Sequence, residues 1–122
     1  MDYLKVIADA LTAAGVPYEY GQWNSAVEYP YWVGSYVEAP ASTEDGLITA
    51  DFTLSGTTKG TWAGLEAHRS KIMAAFPPVS GLVKNGANGT VAVYYGNAQN
   101  VPTDVAELKR MEITLQVMEW RN

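Results

Sequence analysis

Alternation of apolar and polar residues is cleanest in two segments. Over 47–55, Ile48, Ala50, Phe52 and Leu54 fall on one side and Thr49, Asp51, Thr53 and Ser55 on the other. Over 107–120, Met111, Ile113, Leu115 and Val117 alternate with Glu112, Thr114 and Gln116. Period-two patterning of this kind predicts half-buried antiparallel strands. Two further runs rich in strand formers, 30–38 and 90–95, complete a set of four main strands, and Tyr18-Glu19-Tyr20 reads as a short fifth.

Helical spacing appears twice. Residues 2–14 place Leu4, Ile7, Ala8 and Leu11 on one face, with Asp2 available as a cap and Gly15 and Pro17 where a helix should stop. The back of this helix carries a second apolar line, Val6, Ala10 and Ala13, which reads either as an alanine-rich surface or as a contact with another surface. The second helix spans about 61–76, with Thr61 as N-cap. Its stripe is Trp62, Leu65, Ile72, Met73 and Phe76, and Pro77-Pro78 end it. Residues 77–89 read as a long loop and 96–104 as a turn region. Together these elements predict one α+β domain over 1–122, a single antiparallel sheet of about four main strands with two helices packed on one face. The other sheet face is then left carrying Trp32, Tyr36, Tyr94 and Trp120.

Composition narrows the function classes. With 13 acidic against 8 basic residues the net charge is -5, and no cluster of Lys or Arg occurs. Phosphate neutralisation dominates nucleic-acid affinity, so specific nucleic-acid binding is not expected. No apolar stretch is long enough for a membrane span, and the first residues lack the features of a secretory signal. The absence of cysteine removes disulfides and thiolate metal sites. Asn88-Gly89-Thr90 spells a sequon that, without export, is only a turn.

Candidate chemistry is sparse. The single histidine, His68, lies at the edge of the second helix's stripe and belongs to no motif, so it reads as a half-packed or surface residue rather than the base of a triad. Glu44 and Asp45 are adjacent in an acidic connection over 40–46, where solvated charge is the plainer reading. Gly56-Thr57-Thr58-Lys59-Gly60-Thr61 lacks the order of a phosphate loop. Arg69 falls inside an apolar stripe and either snorkels or makes a specific ion pair, internal or with a neighbour. No catalytic, cofactor or metal site is therefore expected. Eight Tyr and four Trp leave spare aromatic surface for an interface or for a small-ligand pocket.

The layout resembles the tail terminator and tail-completion proteins of long-tailed bacteriophages and prophages. The resemblance rests on the N-terminal helix running into Gly15-Val16-Pro17-Tyr18, the strand entry Tyr29-Pro30-Tyr31-Trp32-Val33, the threonine-rich strand at 47–55, the helix at 61–76 and the closing strand through Val117-Met118-Glu119-Trp120. It implies a non-enzymatic ring, usually of six copies, at the head-proximal end of the tail tube, assembled in the host cytoplasm. Its partners would be itself, the tail tube protein and a head–tail connector protein, with no cofactor. The expected contacts are Val6, Ala10, Ala13, Trp32, Tyr36, Glu44, Asp45, Arg69 and Trp120. A small-ligand-binding or isomerase-like α+β domain with an aromatic pocket is the alternative reading.

Overall fold

The computed structural model describes residues 3–39, 46–87 and 89–121. The chain order is α1 (Tyr3–Ala14), β1 (Tyr18–Tyr20), β2 (Tyr31–Ala39), β3 (Leu47–Lys59), α2 (Ala63–Ala75), β4 (Leu82–Gly86), β5 (Gly89–Val101) and β6 (Leu108–Arg121). The strands form one six-stranded sheet in the order β1-β2-β3-β6-β5-β4. The sheet is mixed, because β1 runs parallel to β2 while every other pairing is antiparallel.

This corrects the expected architecture. The molecule is mostly β, with strand residues outnumbering helical ones by more than two to one, and its sheet curls into a half-barrel rather than a four-stranded antiparallel layer. The difference arises at the sheet's ends. β4 lies inside the segment expected to be a loop; it is an edge strand with Lys84, Asn85 and Gly86 exposed, so no buried face imposes alternation on its sequence. β5 continues six residues past Tyr95 through Gly96 and the polar Asn97, Gln99 and Asn100, carried by pairing with β6 across a bulge between Tyr95 and Asn97. Both helices pack into the concave face, against a core that includes Ile7, Leu11, Phe52, Leu65, Ile72, Val93, Ile113 and Leu115.

Local chemistry explains the helix ends. Gly15 adopts φ +77°, which lets Gly15 N–H bond Thr12 O and Val16 N–H bond Leu11 O, closing the last turn of α1. Asp2, expected as the cap, lies outside the described residues. The cap of α2 is Trp62 and not Thr61, and it makes no side-chain capping bond. At the other end Phe76 O accepts the Tyr95 N–H at 3.0 Å, so the β5 bulge and the end of α2 satisfy one another.

Register sorts the side chains between the two faces. Trp32, Gly34, Tyr36 and Glu38 stand opposite Gly56, Leu54, Phe52 and Ala50, and all of these share the concave side. Trp32 and Tyr36 therefore do not lie on the outer sheet face where the sequence reading placed them, and Trp32 is fully buried. Tyr94 and Trp120 do lie on the convex face, beside the threonine-rich side of β3.

Candidate functional site

The geometry around His68 is structural. α2 turns the imidazole toward the core, where Trp32 Nε1–H donates to His68 Nδ1 at 2.9 Å. Accepting through Nδ1 requires the neutral ring with its proton on Nε2. Burial, and after it the nearby Lys71 charge, lowers the His68 pKa below its ordinary 6.5, in the same direction. The lone pair that a general base would use is thus engaged in joining α2 to β2. Among the described residues there is no group of three or more His, Cys, Asp or Glu side chains able to hold a metal ion, and no helix is long and apolar enough to cross a membrane.

Arg69 resolves toward an internal pairing. Its Nε–H donates to Glu66 Oε2 at 2.8 Å, one turn back on α2. Glu66, and then a hydrogen bond with the Tyr95 hydroxyl, raise its pKa above the ordinary guanidinium value. The guanidinium therefore straddles α2 and β5 at the rim of the core.

The expected contact residues are dispersed. Tyr36 stands near the outer end of β2, 40% exposed, with its ring edge-on to Tyr3 at 5.8 Å and tilted against Tyr20 at 6.2 Å. Trp120 is half-buried on the convex face. Glu44 and Asp45 lie outside the described residues. Trp32 is unavailable for any contact, since its indole fills the space over Gly56.

Val6, Ala10 and Ala13, in contrast, are brought to one place. Val6 belongs to the core rather than to a spare face, Ala10 is half-buried and Ala13 is exposed, and all three line a groove of about 740 Å³ between α1, α2 and β4. Ala74, Ala75 and Leu82 form its other wall. Lys5, Lys71 and Lys84, all exposed, also line it at its rim, with Asp9 held to Lys5 at 2.7 Å. The groove's lining contains no aromatic residue and not His68, unlike the aromatic pocket of the ligand-binding alternative. Sequence reading missed the lysine rim, because its three members come from three elements far apart in the chain and no spacing links them.

A second aromatic group sits at the opposite end of β2. Trp23 and Tyr29 flank Tyr31 with ring centroids 5.1 and 5.8 Å away, and Lys59 Nζ lies 5.3 Å from the centre of the Tyr29 ring. These rings order the 21–30 segment against the sheet; the Tyr29–Pro30 peptide within it is cis.

No family model matches the sequence, and no curated protein sequence matches it. Among solved structures, the fold is similar to a chain from the virion of a native gene transfer agent particle. The two share 16% identity and superpose with a TM-score of 0.66, over 94% of this chain and 86% of that one. At that identity the likeness is one of fold: the half-barrel with two helices in its concavity is an architecture that a gene transfer agent virion also contains.

Proposed function

We propose that this chain is a non-enzymatic assembly protein of a phage-like virion, of the tail-terminator kind: an oligomeric ring that caps the tail tube and takes part in joining it to the head. The observation that carries this reading is the fold likeness to a gene transfer agent virion chain over nearly the whole length. The resemblance of the sequence layout to tail terminators points the same way. A ring protein needs complementary surfaces and no turnover, and the side chains here suit that need. The one histidine is committed to holding a helix, and Arg69 is paired within the subunit. A net charge of -5 suits a channel along which DNA slides without adhering. The ring's neighbours would be the tail tube protein on one side and a head–tail connector on the other.

The test is to add the purified protein to polymerising tail tubes and measure tube length by electron microscopy. Capping gives tubes of uniform length whose ends bind heads. Tubes that grow on unchanged at saturating protein would remove the reading.

A further inference from the structure

Among the described residues the half-barrel leaves two strand edges without a neighbour, and their side chains match. β1 covers β2 only at Trp32, Val33 and Gly34. From Ser35 to Ala39, β2 pairs with β3 alone among the described residues. Two bonds fix which backbone groups face outward: Trp32 N–H donates to Pro17 O at 3.1 Å, and Gly34 O accepts Gly21 N–H at 2.9 Å. Residues two apart along a strand present their backbone groups to the same side. Tyr36 and Glu38 therefore turn both N–H and C=O outward, where no strand among the described residues meets them. At the far end of the sheet, β4 bonds β5 on one side and nothing on the other among the described residues. Open edges of this kind are templates for another strand.

We propose that these edges pair with each other between two copies of this chain, β4 of one copy lying parallel to Ser35–Ala39 of the next, so that the sheet runs on from subunit to subunit. The inference rests on the assembly reading above and names the surface that would carry it. Successive antiparallel pairings from β2 through β3, β6 and β5 to β4 leave β2 and β4 pointing the same way. Rotation about an axis close to the strand direction keeps that sense, which makes the contact parallel and head-to-tail, with a different patch from each copy.

Aligning Val37 with Val83 makes each neighbouring pair agree. Val37 and Val83, 76% and 48% exposed, then meet on the convex side. Tyr36 meets Leu82 and Glu38 meets Lys84 on the concave side, apolar beside apolar and acid beside base. Lys84 has no salt bridge among the described residues, and Glu38 is exposed while accepting one bond from the Tyr3 hydroxyl at 2.8 Å. The end of β1 at Tyr20 stops the new pairing from running further along β2.

A chain without cysteine allows a direct test. Val37→Cys and Val83→Cys are made in separate chains, mixed and oxidised, free and with tail tubes present. The mixture should give a 37–83 disulfide several-fold above either variant alone. It should also exceed the background from Val37→Cys mixed with Val79→Cys, a site 93% exposed and outside both edges. Lys84→Glu should weaken self-association in sedimentation by about tenfold, the scale of one interfacial charge reversal, and Glu38→Lys in the same chain should restore it. Crosslinking at background, a predominance of 37–37 pairs, or association indifferent to the charge exchange would overturn the proposal. If tubes are capped without a 37–83 link, the edge pairing fails and the assembly reading stands. A link in protein that never engages tubes would fault the assembly reading alone.

Discussion

Trp32 and His68, thirty-six residues apart, are joined by a 2.9 Å hydrogen bond from indole to imidazole that fastens the middle of α2 to the edge-side strand β2. Removing the acceptor with His68→Ala strands a buried indole N–H and should cost about 1–3 kcal/mol. Trp32→Phe combined with His68→Ala should cost less than the two changes summed, because the second finds the bond already gone. Urea melts of the four proteins measure the coupling; strict additivity would show that the bond contributes nothing.

Acid should loosen the same contact. The folded-state pKa of His68 lies below 6.5, with burial as the main cause. Above 6.5 both folded and unfolded chains hold a neutral imidazole, so the contribution is fully present. As pH falls below 6.5 the unfolded chain takes up the proton first, and stability declines until pH has passed the folded value. Denaturation midpoints measured in steps just below 6.5 should fall for the parent and fall less for His68→Ala.

Gly56 is required by packing. A Cβ there would stand 2.6–2.7 Å from three atoms of the Trp32 ring, which is itself fully buried. Gly56→Ala should destabilise by about 1–3 kcal/mol, the usual range for overpacking a filled core. Thermal melts check it, and an unchanged midpoint would mean that the indole has room to shift.

Phe52 and Leu115 face each other across β3 and β6, both fully buried. Changing either to Ala should cost about 2–5 kcal/mol. Because the two cavities adjoin, the double variant should depart from the sum of the singles, and equilibrium unfolding reads this directly.

Duplex DNA should not bind appreciably at physiological salt, given the net charge of -5. Lys5, Lys71 and Lys84 do all line the groove, with Asp9 among them. A salt-sensitive complex in a titration, abolished by Lys71→Glu, would identify that rim as a phosphate site and contradict the expectation.

The sequence by itself determined the parts whose pattern is dictated by a buried face. Ile48 through Leu54 and Met111 through Val117 alternate because one side of each strand meets the core, and α1 ends at Gly15 because a left-handed residue closes its last turn. Only the tertiary structure decided the rest. β4 and the far half of β5 exist through pairing with neighbours, not through their own composition, and an exposed edge writes no hydrophobic period. The face taken by Trp32 depended on the register of β2 against β3, and a one-residue difference in phase moves a side chain from outside to core. Glu38 and Lys84 stand on opposite edges of the curled sheet, and nothing in linear spacing announces their likeness as a pair. Complementarity between edges is a property of the sheet's order, which forms only when strands distant in sequence come together.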